Sequence, residues 1–295
     1  MFDVRPGQPT LPVVSGDGGW ETWSWDETLF AGTAPFYVQG RPPYAEGLAD
    51  ALADALALDG RGRLLDVGCG PGVVTLRLAG RFQSVVGLDP DGGMLAEAAR
   101  LAAEQGIGNA SWVKLRAEAL PADLGNFRAV TFAASFHWMD RLKVAAAVRD
   151  MLEPGGAAVQ VDAPAYRPDE LTDPLAYPRP PLEAIEQLRR RYLGPDRRAG
   201  QSIRNTSPSG EDEIFQAAGF RPADEVLVPD GRLHVRTIDD MVASVFSNSS
   251  SAPHLLGDDM ATFEAELRAL LGEASPEGKF AIRLPANVLR VWRPA

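Results

Sequence analysis

One stretch constrains this chain more than any other: Leu64-Leu65-Asp66-Val67-Gly68-Cys69-Gly70-Pro71-Gly72. A hydrophobic run feeds a turn with glycines at alternate positions, and a helical pattern opens directly afterwards at Val73. Glycine reaches backbone angles that other residues avoid and lets a ligand approach the main chain closely. In an open α/β sheet such a turn sits at the carboxyl end of a strand, where ligands bind. The spacing says which kind. A dinucleotide fingerprint, G-x-G-x-x-G, serves a pyrophosphate at a helix N-terminus. Here the third glycine comes one residue early, and Val73 stands where the last would be. Asp66 also places a negative charge just before the turn, which disfavours a pyrophosphate and favours a cationic ligand. The expected ligand is a positively charged nucleoside without phosphate.

The chain around this turn alternates strand and helix. Strand patterns cover 63–67, 84–88, 111–115, 129–134 and 157–162, with helical patterns at 73–80, 92–105 and 142–152 between them. That rhythm means β-α-β units and a parallel, doubly wound sheet. A helix is expected over 45–58, with Leu48, Leu52, Ala55 and Leu56 on one face. Residues 1–19 read as a flexible lead, and 20–44 form an aromatic segment. Residues 163–210 are proline-rich, with one helix at 182–193, and are expected to form a lid. Helices near 209–218, 238–246 and 258–271, and strands at 225–228 and 287–292, complete the sheet and cover the site. The division is a lead and cap (1–60), a ligand-binding core (61–162), a lid (163–210) and a completing part (211–295).

Composition narrows the function. The 295 residues carry a net charge of −11, which repels nucleic acid. The runs Arg189-Arg190-Arg191 and Arg197-Arg198 read as a solvated helix face and the loop after it. A single cysteine, Cys69, precludes an intrachain disulfide, and His137, His234 and His254 show no zinc spacing, so no metal is expected. Apolar runs are too short to span a membrane, and Met1–Trp20 lacks the pattern of a secretion signal, so a cytoplasmic location is expected. Oligomeric state is not legible.

S-adenosyl-L-methionine carries an ammonium and a sulfonium and no phosphate, so it answers the turn. Asp89 ends the second strand 17 residues after Gly72. Its carboxylate can accept both ribose hydroxyls, or it can cap the following helix. Met94 can lie against adenine or pack in the core.

The motif Asp66-x-Gly68-Cys69-Gly70-x-Gly72 resembles motif I of class I S-adenosylmethionine-dependent methyltransferases. Further stretches are similar to that family: Ala117-Glu118-Ala119-Leu120-Pro121 after the third strand, Phe136-His137-Trp138-Met139-Asp140 after the fourth, and Leu152-Glu153-Pro154-Gly155-Gly156 before the fifth. Upstream, Tyr37-x-x-x-Arg41-Pro42-Pro43-Tyr44 resembles one branch. The likeness covers 30–162 well and 215–295 loosely. Arg116 departs from the acidic or polar residue usual at its position, which shifts adenine recognition onto the backbone of Ala117 and onto Glu118.

The resemblance implies a Rossmann-like, doubly wound, mostly parallel seven-stranded sheet with helical lid insertions. It also implies a methyltransferase acting on a small, hydrophobic or aromatic metabolite. The cofactor-binding set it implies is Tyr37, Arg41, Asp66, Gly68, Cys69, Gly70, Gly72, Asp89, Pro90, Met94, Ala117, Glu118 and Ser135, with Arg41 pairing the methionine carboxylate. Trp25, Phe30, His137 and Trp138 would line the substrate pocket. His137 is the candidate general base, since imidazole titrates near neutrality, or else a wall residue. Asp140 is expected to cap the helix after it. A methyltransferase-like ligand-binding module and a nicotinamide-dependent oxidoreductase are the competing readings. A nucleic-acid enzyme is disfavoured, because the loop after the fourth strand lacks the Asn/Asp-Pro-Pro-Tyr/Phe pattern.

Overall fold

The computed structural model describes residues 26–162, 175–200, 202–203 and 209–295. The flexible lead, Trp25 and residues 163–174, 201 and 204–208 of the proline-rich run therefore lie outside the described residues.

Five parallel strands form the sheet's centre: β1 (Arg63–Val67), β2 (Ser84–Asp89), β3 (Ala110–Lys114), β4 (Phe127–Ala133) and β5 (Leu152–Val161). Leu64, Leu65 and Val67 are wholly buried. A strand covered on both faces reads as an unbroken apolar run, and the sequence shows one here. Two further sheet strands are β6 (Asp224–Val228) and a C-terminal strand, Asn287–Trp292, which pairs antiparallel with both β5 and β6. Between these two lie β7 (Leu233–Thr237) and β8 (Lys279–Arg283), an antiparallel ribbon. The C-terminal strand is therefore β9, and the sheet order is β3-β2-β1-β4-β5-β9-β6. Strand order reverses between β1 and β4, which opens a crevice at their carboxyl ends.

The expected seven-stranded, mostly parallel sheet is thus present. The Pro154-Gly155-Gly156 turn is not separate from the fifth strand. Register jumps from Phe127↔Leu152 to Ala129↔Ala157, so the turn is a bulge within β5.

The helices are α1 (Ala34–Gly40), α2 (Leu48–Leu56), α3 (Val73–Leu78), α4 (Gly92–Glu104), α5 (Arg141–Met151), α6 (Leu182–Leu193), α7 (Glu211–Ala217), α8 (Ile238–Phe246) and α9 (Met260–Ala274). Sheet residues alternate between two cores. Leu65, Val67 and Phe132 face α5 and α7, where Phe215 stacks on Trp292 at 4.1 Å. Leu64, Val85 and Leu289 face α2 and α3.

A third core belongs to a helical cap. Ile185 and Leu188 of α6, Phe246 of α8 and Phe263, Leu267 and Leu271 of α9 pack together with Phe280 of β8. The helix assigned to a separate lid thus shares its core with the C-terminal helices. Arg189, expected in solvent, is instead 5% exposed. It pairs with Glu186 at 2.8 Å because its neighbours on the helix, Ile185 and Leu188, carry that turn into the cap core.

Three elements were not foreseen. Helix α1 starts with a proline in its first turn inside the aromatic segment. Strand β7 is inverted: Leu233 and Val235 are 44% and 42% exposed, while Arg236 is buried. Its alternation is regular, but the apolar side faces solvent. Strand β8 is too short and continuous to separate from helix by periodicity.

Candidate active site

The turn after β1 is held by β2. Backbone N–H groups of Gly68 and Cys69 both donate to the Leu88 carbonyl, at 2.7 and 3.0 Å. Gly68, Gly70 and Gly72 all take positive φ. At Gly68 a β-carbon would lie 2.6 Å from Ser135, and at Gly72 it would lie 2.7 Å from the Trp112 ring. At Gly70 it would meet nothing within 4 Å, so that backbone faces open space. Gly72 packs against Trp112 and is not among the residues lining the two cavities.

Asp89 ties the turn to α4. Its Oδ2 accepts from the Gly70 N–H at 2.8 Å and its Oδ1 from the Asp91 N–H at 2.9 Å. The helix cap is Asp91, which accepts from Gly93 and Met94, so Asp89 is left to face the cavity. Burial pushes its carboxyl up to about 6.

Asp66 departs from the expectation that its charge meets the ligand. It is fully buried, and Thr75 and Thr131 donate their hydroxyls to it at 2.5 and 2.8 Å. Burial raises its pKa against these two hydrogen bonds. It lines neither cavity. Its alternation on β1 points it at α3 and β4, so it braces the strand ends from beneath.

A first cavity of about 640 Å³ opens above these strand ends. Gly68, Gly70, Asp89, Pro90, Met94, Ala117, Glu118 and Ser135 line it, with Phe30, Tyr37 and Trp138 as its aromatic walls. Phe30 meets Trp138 edge-on, 5.9 Å between centroids. Ser135 donates to the Val67 carbonyl at 2.5 Å. The Glu118 carboxylate is already engaged, accepting from the Asp140 N–H at 3.0 Å and from Arg116 at 3.3 Å. Asp140 caps α5, accepting from the Lys143 N–H at 3.2 Å. His137 lines neither cavity; its ring lies against Trp138, 4.9 Å between centroids. A general-base role therefore finds no support in its placement.

A second, larger cavity of about 1240 Å³ shares Tyr37, Gly68, Gly70, Ala133 and Ala134 with the first and adds Arg41, Tyr44 and Cys69. Arg41 lies over the Tyr37 ring at 5.0 Å and donates through Nη2 to the Ser247 carbonyl at 2.7 Å. Its buried Nε has no partner among the described residues. Burial raises both the Tyr44 hydroxyl and the Cys69 thiol, so both stay protonated. Two residues that sequence reasoning missed complete the wall: His234 of β7 and Asp240 of α8. The regular Leu-His-Val-Arg-Thr alternation of β7 could have signalled His234, while the Thr237-x-x-Asp240 spacing marks only a helix cap. The cap is seated by Arg236, whose Nη2 reaches the carbonyls of Gln39, Gly40 and Asp240 at 2.9, 3.0 and 2.6 Å. At Gly40 a β-carbon would sit 2.3 Å from the Ala243 carbonyl, so α1 meets α8 backbone to backbone.

Among the described residues no cluster of His, Cys, Asp and Glu could hold a metal ion, and no helix is long and apolar enough to cross a membrane.

Residues 64–156 match the family model Methyltransf_25, a methyltransferase domain. An uncharacterized methyltransferase of Mycobacterium tuberculosis is 35% identical over 127 residues, 43% of this chain and 49% of that protein. An uncharacterized RNA methyltransferase of Thermosynechococcus vestitus is 34% identical over 115 residues, 39% of this chain and 23% of that protein. The chain thus spans about half the length of the mycobacterial relative or less of the other. A protein of Anaeromyxobacter dehalogenans assigned to the type II methyltransferases superposes with a TM-score of 0.51 at 20% identity, over 85% of this chain and 97% of its own. The YcgJ protein of Bacillus subtilis does so with a TM-score of 0.50 at 19% identity, over 84% and 98%. At such identities the likeness speaks for the fold alone. Fold, glycine turn and family match agree over one stretch: residues 64–156 match a methyltransferase domain, set in a Rossmann-like sheet.

Proposed function

We propose that the protein is an S-adenosylmethionine-dependent methyltransferase acting on a small, largely apolar acceptor. The observation that carries the reading is Asp89, buried at the end of β2, anchoring Gly70 and Asp91 while facing the first cavity. Each carboxylate oxygen keeps acceptor capacity after those bonds, enough for a pair of ribose hydroxyls. Met94 and Pro90 offer apolar surface to adenine, Ala117 its backbone, and Gly68 and Gly70 a close approach to the main chain. The buried, unpartnered Nε of Arg41 fits a carboxylate, because an orphaned guanidinium donor is costly until an acceptor arrives. Tyr37, shared by both cavities, would lie over the amino-acid end.

When bound, S-adenosylmethionine supplies an electrophilic methyl group on sulfur. The protein's own share is alignment and exclusion of water. Phe30 and Trp138 wall the cavity, and His137 supports the Trp138 ring. The acidic net charge and the cavity sizes favour a small acceptor over a nucleic acid, and an aromatic or natural-product metabolite suits the largely apolar linings of the two connected cavities.

Calorimetry with S-adenosylhomocysteine and NADH tests the cofactor assignment. Binding of the first alone is expected, and heat with NADH alone would overturn it. Transfer of labelled methyl groups onto a metabolite extract but not onto total RNA is the expected outcome for the acceptor.

A further inference from the structure

The second cavity adds His234 and Asp240 of the cap to the residues it shares with the first, and its basic groups can be sorted by what already occupies them. Asp240 accepts from the Gln39 amide at 2.9 Å through Oδ1 and from the Thr237 N–H at 2.8 Å through Oδ2. Tyr44 and Cys69 are held protonated by burial. In the first cavity, Asp89 and Glu118 hold backbone N–H groups. Among the described residues no hydrogen bond engages the His234 imidazole. It is half-buried at the cavity wall, beneath α1 and beside α8.

The groups facing it keep it neutral. Burial lowers its pKa first, then Arg236 on its own strand, with Arg232 adding to this. Asp240 of α8 and Asp230 before β7 oppose them. Neutral imidazole presents one nitrogen lone pair as a base. The same cavity has an apolar share in its lining, from Val38, Pro42, Pro43, Val73 and Val74, beside the polar Gln39 and Arg41. A flat apolar body bearing one weakly acidic hydroxyl matches that combination.

We propose that the second cavity is the acceptor site and that His234 takes the proton from a phenolic small molecule seated there. This rests on the methyltransferase reading above. The phenolic O–H bond breaks to the imidazole, an oxygen lone pair forms the new C–O bond to the methyl carbon, and the electron pair of the severed methyl–sulfur bond stays on sulfur. The imidazolium then returns its proton to water. This places base catalysis on the cap rather than on the loop after β4.

With three histidines in the chain, imidazole proton resonances can follow each one. In the complex with S-adenosylhomocysteine, phenol, catechol and 2-naphthol are titrated in turn. The His234 resonance, assigned by its absence in His234→Gln, is expected to shift with at least one of them, while His137 and His254 stay in place. His234→Gln is expected to lower methyl transfer to that phenol by about 100-fold at pH 7, to flatten the acid limb of its pH–rate profile, and to leave S-adenosylhomocysteine affinity within about twofold, the bound set by this loss rather than by any cofactor contact. Val38→Trp, at the exposed rim, is expected to block the shift without touching the imidazole. Assignment through His137→Gln and His254→Gln serves if His234→Gln fails to fold. S-adenosylhomocysteine that binds while none of the phenols moves His234 overturns this proposal alone. Absent S-adenosylhomocysteine binding overturns the reading beneath it.

Discussion

On the sheet side the cavity walls are largely backbone. Gly68 and Gly70 bring the main chain to the surface, Asp89 fastens them to α4, and Asp66 braces them from below through Thr75 and Thr131. On the cap side the walls are side chains on a small helical core, seated by one arginine on three carbonyls. Backbone walls demand glycine at fixed spacing and leave a motif behind. Side-chain walls demand only a position, which many sequences can supply.

The largest test of this contrast removes a core aromatic from each side. Phe215→Ala in the sheet core and Phe263→Ala in the cap core should each cost about 3–5 kcal/mol. Hydrogen exchange should then separate them. Phe263→Ala is expected to expose amides of α6, α8 and α9 while β1, β2 and β4 stay protected, and Phe215→Ala to lower protection throughout. Equal loss everywhere would merge the two regions into one unit.

Next comes Asp89→Ala, which frees the Gly70 and Asp91 N–H groups and is expected to weaken S-adenosylhomocysteine binding by about 2 kcal/mol, about 30-fold, by calorimetry. Its pH dependence sharpens the point. The carboxyl is raised from 3.8 to about 6 in the folded protein. Its contribution to apo stability is therefore full below 3.8 and lost as pH rises through about 6. Ligand binding needs the ionised form and runs the other way, weakening as pH falls below about 6. Asp89→Asn should flatten both trends, and a binding curve unchanged from about one pH unit below that value to about one unit above it in the parent protein would remove Asp89 from the ligand.

Thr131→Val should cost about 1–2 kcal/mol in urea denaturation, because it leaves the buried Asp66 with one hydroxyl. Combined with Thr75→Val it should prove non-additive, since both act on one carboxylate. The smallest effect is Asp140→Ala, about 1 kcal/mol from the lost cap of α5.

The same contrast explains what could be read from the sequence. The sheet, its order-reversing crevice and the cavity residues Gly68, Gly70, Asp89, Met94 and Ala117 were legible: the glycines answer a backbone requirement that few residues meet, and the others stand at fixed spacings from the strand ends they follow. Asp66 and Gly72 were recognised by position but given the wrong neighbours: the motif records that they are needed, and only packing shows that threonines and Trp112 are why. His137 was chosen for its chemistry and lies outside both linings. His234, like His254, could approach the substrate from the C-terminal half, but nothing in the spacing singled it out, because β7 turns its polar face inward against the usual reading of alternation. Arg189 misled for the matching reason, a charged run read as solvated where one member is buried against Glu186.

The bare contact between Gly40 and Ala243 has a mechanical consequence. Where two helices touch through main-chain atoms, no rotamer can flip to make room, so the vestibule cannot breathe locally. A movement that widened the larger cavity at this contact would shift α1 as a rigid lever, carrying Tyr37 and Arg41 with it. A single methyl added by Gly40→Ala would act as a wedge under that lever, propping the doorway ajar.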